Sequence, residues 1–348
     1  NTGEGGVSPY HLAGGGDLIW QIGTGYFGCR NHDGTFNKNT FAEKATLSTV
    51  KMIEIKLSQG AKPGHGGILP AAKLTEEIAA IRDVPLGGDV ISPPAHSAFS
   101  TPTGLLEFVE QLRQMSGGKP VGFKLCVGKR REFLAICKAM IKTGLTPDFI
   151  TVDGGEGGPG AAPLEFTNTI GSPLMESLIF VHNALVGFSV RDRIRVIASG
   201  KVTTGFDIVK RIALGADMCN SARAMMLALG CIQARRCNSN HCPVGITTQN
   251  PQLVAGLVVE DKNKRVANYH DETIESVCEI IAAMGLESPA ELRPWHMMRR
   301  TGPTEIKHYG EIYEFLNDGD LLDDDYLPAS YKRAWQAASA DTFTHVTA

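Results

Sequence analysis

The sequence predicts an α/β protein of the (β/α)8 barrel type, and three observations carry that expectation. Strand-like apolar runs alternate with amphipathic helical patterns, as where "PVGFKLC" (120–126) leads into "RREFLAICKAMIKTG"; this alternation marks parallel β/α units. The strand runs are apolar at nearly every position, which fits a sheet covered on both faces. Polar residues and glycines collect at the ends of successive runs: Lys124 within one, "DGGEGGPG" after another, "SGK" after a third, "NSAR" after a fourth. A barrel builds its site at the carboxyl ends of many strands, whereas a doubly wound sheet concentrates it at one switch point.

In chain order the strand runs are "DLIWQIG", "KMIEIKLS", "PVGFKLC", "DFITVDG" (148–154), "IRVIASG" (194–200) and "DMCNSAR" (217–223). "GFDIVKRIALGA" follows the fifth as a helix, and residues 223 to 236 read as a further helix after the sixth. Six or seven strands are fewer than a closed barrel needs, so its first β/α unit is expected upstream of Asn1, in keeping with a start that lacks methionine. The expected division is a barrel over residues 1–250 and a helical C-terminal extension over 251–348. In that extension "DETIESVCEIIAAMG" reads as a capped amphipathic helix stopped by Gly285, and the acidic "NDGDLLDDDY" as a solvated segment.

With 348 residues the chain can bury one large core or two smaller ones. Its formal net charge of −3 leaves no excess of Lys and Arg, which argues against nucleic acid and anionic membrane surfaces as partners. The most apolar stretch, "SLIFVHNALVGFSV", is broken by His182 and Asn183 and is too short to cross a bilayer. With no signal peptide in view, a soluble, cytoplasmic protein is expected. Eight cysteines without regular spacing do not form a disulfide framework. Cys137 and Cys278 fall on apolar helical stripes and are expected to be buried thiols; Cys29, Cys126 and Cys219 lie in or beside strands as packing residues.

"GEGGPG" (155–160) satisfies a dinucleotide fingerprint in form, yet Pro159 interrupts it and no helix opens at its third glycine. A glycine-lined loop against a flat or phosphorylated cofactor fits better, since absent side chains let backbone N–H groups reach a ligand. The remaining cysteines, Cys231, Cys237 and Cys242, fall within "GCIQARRCNSNHCPVG" (230–245). Residues six apart on a helix diverge by about 240°, so Cys231 and Cys237 can share a ligand only if the helix ends between them. Asn238, Ser239 and Asn240 favour turns and Pro243 blocks further helix. Zinc lacks a well-spaced fourth ligand. An iron–sulfur cluster held by three thiolates, and a disulfide with one free thiol, both stay open on spacing alone.

The run "GADMCNSARAMMLALGCIQARRCNSNHCPVGITTQNP", with "KLSQGAKPGHGGILPAAKLTEEIAAIR", "DVISPPAHS", "VGFKLC" and "DGGEGGPGAAP", resembles the FMN-binding synthase domain of glutamate synthases. In particular it looks like the stand-alone FMN-binding glutamate synthase family of bacteria and archaea, and the resemblance extends from Asn1 to about residue 290. It implies an FMN-binding barrel and a [3Fe-4S] cluster on Cys231, Cys237 and Cys242. Ser199, Gly200 and Lys201, with Ala222 and Arg223, would bind the FMN phosphate. Lys124 would face the electron-rich edge of the flavin, with Asp153, Gly154, Gly155, Gly158, Asn1 and Thr2 lining the ring.

The same resemblance places Lys62 beside the substrate carbonyl or imine, Arg82 on its carboxylate and Glu4 near both substrate and flavin. The implied reaction reduces 2-iminoglutarate, made from 2-oxoglutarate and ammonia, to glutamate. Ile68 and His65 depart from the pattern, standing where the large enzymes carry a glutamine and a glutamate. No amidotransferase domain is found in this sequence, so ammonia or an amine such as methylamine would come from outside or from another subunit. A ferredoxin-like protein is the expected electron donor. An N-methylglutamate synthase-type subunit and an electron-transfer or scaffold subunit of a larger complex are the alternatives.

Overall fold

The structure, a computed structural model, describes residues 1–158, 162–323, 325 and 327–344. The elements begin α1 (Pro9–Ala13), β1 (Leu18–Ile22), α2 (Lys38–Ala45), β2 (Val50–Lys56), β3 (Ile68–Leu69), α3 (Glu76–Arg82) and β4 (Val90–Ile91). They continue through α4 (Pro102–Met115), β5 (Val121–Leu125), α5 (Arg130–Thr143), β6 (Phe149–Asp153), α6 (Leu174–Gly187), β7 (Arg195–Ser199) and α7 (Gly205–Ala213). The last are β8 (Met218–Asn220), α8 (Arg223–Ala228), α9 (Pro251–Val254), α10 (Val259–Ala283), β9 (Met298–Arg300), β10 (Ile306–His308), α11 (Tyr309–Ile312) and α12 (Ala329–Gln336). Two compact units are present, one of Asn1–Gln59, Pro63–Thr151 and Asp325–Ala348, the other of Gly60–Lys62 and Val152–Asp324.

In the first unit β1, β2 and β5 lie parallel in chain order, with Ile53 opposite Val121 and Lys56 opposite Lys124. Apolar residues fill both faces: Trp20 stacks on Phe41 at 5.3 Å, and Ile53, Ile55 and Phe123 have no exposed surface. Helix α4 starts where the Thr101 hydroxyl accepts the Gly104 N–H and buries Leu105, Leu106, Phe108, Val109 and Leu112. The amphipathic α5 buries Phe133, Ile136 and Cys137 and packs against α12, Lys138 Nζ lying 3.7 Å above the Trp335 ring.

In the second unit β7 and β8 are parallel, Ile197 opposite Met218, and the Gly154 N–H at the end of β6 donates to Ser199 O. Helix α6 is apolar almost all round and buries ten of its residues, which accounts for "SLIFVHNALVG" without a membrane. Among the described residues no helix is long and apolar enough to cross one. All six strand runs read from the sequence form, and neighbours follow chain order in each unit. That is the ordering of a (β/α) barrel; a doubly wound sheet would reverse it.

Three expectations need correction. The helix expected over 223–236 stops at Ala228, because Gly230 takes φ 104° and Gln233 and Arg235 take φ 55° and 54°. Cys278 is exposed, since α10 buries only Val277 and Ile281 on its contact face. The acidic segment is not wholly solvated: Leu321 is fully buried, and a Cβ added at Gly187 of α6 would come within 2.6 Å of it. Asp324 and Tyr326 of that segment lie outside the described residues. Leu321→Ala is expected to cost about 2–4 kcal/mol by leaving a cavity. Chemical denaturation checks this; an unchanged midpoint would return the segment to solvent.

Candidate functional site

In the second unit the loops after β6, β7 and β8 converge. The Asp153 side chain, buried at the end of β6, accepts the Gly60 N–H through Oδ2 at 2.9 Å. Around it backbone meets backbone so closely that side chains cannot fit. A Cβ at Gly60 would stand 1.7 Å from Gly154 O, and one at Gly157 would reach Asp153 Oδ1 at 2.5 Å and Gly200 Cα at 3.0 Å. Ser199, Gly200 and Lys201 therefore lie directly against the glycine turn. Lys201, a non-glycine residue, is held at φ 46°, a conformation that persists only where surroundings impose it and that clusters at ligand sites. Among the described residues no helix follows the glycine run before α6 begins at Leu174, and Pro159 and Gly160 lie outside the described residues.

Arg223 begins α8, whose N-cap position, Ala222, provides no side-chain cap. The guanidinium donates from Nη2 to Gly158 O at 2.9 Å, tying the glycine turn to the loop after β8. It also lines a small concavity together with Cys231, Cys237 and Cys242. Because the helix ends at Ala228, all three cysteines sit in irregular chain, as sulfurs from one short stretch must if they are to face one ligand. Cys242 is buried and the other two partly exposed. The Gln233 N–H lies 3.5 Å from Cys231 Sγ. Burial pushes the Cys242 thiol up, but backbone N–H groups of Thr247, Val244 and Ile246 and the Thr247 hydroxyl hold it below its ordinary value.

The first unit carries the other candidates. Asn1 donates from Nδ2 to Glu54 Oε2 at 2.8 Å, Gln21 donates to the same oxygen at 2.6 Å, and the Thr151 hydroxyl donates to Oε1 at 2.6 Å. The Thr2 hydroxyl accepts the Gln21 N–H, so Asn1 and Thr2 are both fixed against β1 and β2. Glu54, fully buried within β2, was missed in the sequence reading; its signal is a carboxyl inside the apolar run "KMIEIK". Lys124 projects from β5 directly opposite Lys56, whose Nζ stands 3.0 Å from Glu4 Oε2. Arg82, at the end of α3, lies 4.8 Å over the Phe27 ring. Burial lowers its pKa, and the charge of Glu4 opposes that shift. Lys62 belongs to the second unit. His65 Nδ1 is 2.7 Å from Gly66 O, and Ile68 is 55% exposed on the β3–β4 ribbon.

At the carboxyl ends of β2 and β5 the first unit encloses about 490 Å³, lined by Leu57, Ser58, His96, Cys126 and Phe133 among others. His96 Nε2 is 3.0 Å from the Lys56 carbonyl and Nδ1 is 3.1 Å from the Tyr26 hydroxyl. A carbonyl only accepts, so Nε2 carries the proton and Nδ1 accepts from Tyr26, leaving a neutral ring.

The sequence comparisons bear on this arrangement. The family model described as the conserved region in glutamate synthase matches residues 1–287. The chain belongs to the glutamate synthase family. The glutamate synthase large subunit-like protein YerD of Bacillus subtilis is 44% identical over 318 residues, 91% of this chain and 60% of that protein. The archaeal glutamate synthase (NADPH) of Methanocaldococcus jannaschii is 35% identical over 293 residues, 84% of this chain and 54% of that protein. The glutamate synthase (NADPH) large chain of Azospirillum brasilense is 33% identical over 328 residues, 92% of this chain and 20% of that one. The chain thus spans somewhat over half the length of the first two relatives.

Burial pushes His96 from 6.5 down to about 4. Its folded pKa lies below the unfolded one, so its contribution is complete above pH 6.5 and drains away as the pH falls from 6.5 towards 4. Roughly 2 kcal/mol should be lost by pH 5 from this ring alone. Denaturant titrations at pH 7.5 and 5.0 test this: His96→Asn should be less stable at pH 7.5 and show a shallower acid loss. Equal acid losses in both proteins would refute a neutral, enclosed His96.

Proposed function

We propose that this chain forms the synthase part of an FMN- and iron–sulfur-dependent oxidoreductase of glutamate synthase type. The reaction is reduction of the imine of 2-oxoglutarate and ammonia to glutamate. The observation that carries the reading is the meeting, within the second unit, of the glycine turn, the Ser199–Lys201 loop and the three-cysteine loop through the Arg223 guanidinium.

The residues suit both groups. Bare backbone at Gly155 and Gly158, the loop through Gly200 and Lys201, and the cation of Arg223 are what a flat ring ending in a phosphate requires. Among the described residues no group of three His, Cys, Asp or Glu could hold a single metal ion. A three-iron cluster makes a different demand, one thiolate on each iron, and does not need its sulfurs within reach of one metal. Gln233 takes positive φ and its N–H lies 3.5 Å from Cys231 Sγ, the kind of backbone donor that anionic iron–sulfur sites favour. FMN would supply hydride transfer to the imine carbon, and the cluster single-electron delivery.

The chain's own residues do the rest. Lys124 lies opposite Lys56 in the register of β2 and β5, at the carboxyl end of its strand where a barrel builds its site, and we assign its ammonium to the flavin's electron-rich edge. Lys56 pairs with Glu4. Glu54 fixes Asn1 and Thr2 as a flavin-lining segment through its three hydrogen bonds. Arg82 would bind the substrate carboxylate and Lys62 would polarise the carbonyl or imine. Ile68 offers no amide to the keto acid, so the substrate's second carboxylate would rest on other groups. Ammonia would reach the site from solution or another subunit, and a ferredoxin-like protein would deliver electrons to the cluster loop.

The test is an anaerobic visible spectrum of protein reduced with dithionite and then mixed with oxo acid and amine. Reoxidation with 2-oxoglutarate and ammonium, slowed at least ~100-fold in Lys62→Ala if its ammonium contributes about 2.7 kcal/mol, supports the reading. Reoxidation only with methylamine redirects it to N-methylglutamate synthesis. Reduction by NADPH without a ferredoxin would reassign the electron donor, and reoxidation by neither amine would overturn the imine reaction.

A further inference from the structure

The second unit contains a cavity of about 800 Å³ that the proposed chemistry does not use. It lies at the opposite end of the strands from the cofactor loops. One wall comes from Arg191, just before β7, and from Gly215, Ala216 and Asp217, just before β8. Ser199–Lys201 and Ala222–Arg223 follow the carboxyl ends of those same strands. The other wall comes from the turn Ser288–Trp295 and from His308, Gly310 and Phe315. All of those residues lie beyond residue 287, where the match to the conserved glutamate synthase region ends. The segment after α10 thus builds a pocket onto the common fold, within the ordinary size range of small-molecule sites, roughly 300–1,000 Å³.

The groups around it are unequal. Arg191 is fully engaged, donating to Asp217 Oδ2 at 2.8 Å, to Gly215 O and Ile194 O at 2.9 Å, and to His182 Nδ1 at 3.2 Å. Arg293 donates only through Nη1, to Ala290 O at 2.7 Å and Leu292 O at 2.8 Å, and has no carboxylate at ion-pair distance among the described residues. Trp295, which lines the same cavity, is 57% exposed, with the His296 ring as its aromatic neighbour, edge to face at 5.8 Å. Within the far wall His308 Nδ1 is enclosed without a hydrogen-bond partner. Burial, chiefly, drops His182 to about 4, so that ring is neutral at physiological pH. A cation with spare donors and a largely exposed indole, lining one largely apolar cavity, are complementary to one ligand chemistry.

We propose that this cavity binds a small planar anion, a ring carrying a carboxylate or a phosphate, with the ring packed on Trp295 and the anion paired with Arg293. The site is separate from the cofactor loops and depends on the segment after residue 287. A ligand there touches the turns that launch β7 and β8, and so can bias the loops at their far ends.

Binding is read by calorimetry and tryptophan fluorescence on the intact chain as purified. The probes are adenosine 5′-monophosphate and indole-3-carboxylate, with adenosine and indole as uncharged counterparts. At least one anion should bind saturably, at least ~10-fold tighter than its counterpart, with quenching of tryptophan emission that disappears in Trp295→Phe. Arg293→Ala, at an exposed position, should weaken binding by ~10-fold or more, whereas Arg223→Ala in the cofactor loops should leave it unchanged. The anion that binds separates phosphate from carboxylate recognition. No saturable binding, equal affinity for charged and uncharged rings, or affinity that follows Arg223 instead of Arg293 would each overturn the proposal.

Discussion

Everything assigned to the second unit's site rests on how closely its backbone packs around the Asp153 side chain. A Cβ at Gly60, Gly154 or Gly157 would come within 2.6 Å of a neighbouring atom, Gly200 packs against Gly154 and Gly157 at φ 135°, and the Gly60 N–H bond to Asp153 fixes their approach. Side chains at these points would separate the glycine turn from the end of β7. With them separated, Arg223 could not reach Gly158 O, and the cysteine loop would lose its link to the turn. Glycine at positions 60, 154 and 157 is the cost of that convergence.

The first unit solves a different problem with charge. Glu54 has no exposed surface yet receives three donors, and Lys56 is answered by Glu4. Burying such groups is tolerable only because each is paired or hydrogen-bonded. The result is a segment, Asn1 to Glu4, pinned in place at the carboxyl ends of two strands, where barrel chemistry takes place. His96, kept neutral between Tyr26 and the Lys56 carbonyl, supports that region without adding charge to it.

Much of this was legible in the sequence, and what was not has physical reasons. The six strands could be read because continuous apolar runs allow few other structures, and the cysteine loop could be read because Asn, Ser and Pro leave little room for helix. The end of α8 could not be: Gln233 and Arg235 are good helix formers by composition, and only the fold shows them at positive φ. Cys278 misled because an amphipathic pattern marks a face without saying how much of it is covered. Glu54 was overlooked although a carboxyl in an apolar strand is a visible anomaly. Leu321 and the cavity beyond residue 287 were hidden because acidic and irregular sequence carries no periodicity from which packing could be inferred.

In the proposed function, one set of loops holds a flavin beside a cluster on Cys231, Cys237 and Cys242. The most direct measurement is joint analysis of FMN, iron and acid-labile sulfide in protein purified without oxygen, with an EPR spectrum of the same sample. One FMN and one three-iron cluster per chain are expected, with the iron and sulfide lost and the FMN retained in Cys237→Ala. Protein that binds FMN stoichiometrically yet contains neither iron nor labile sulfide would contradict it.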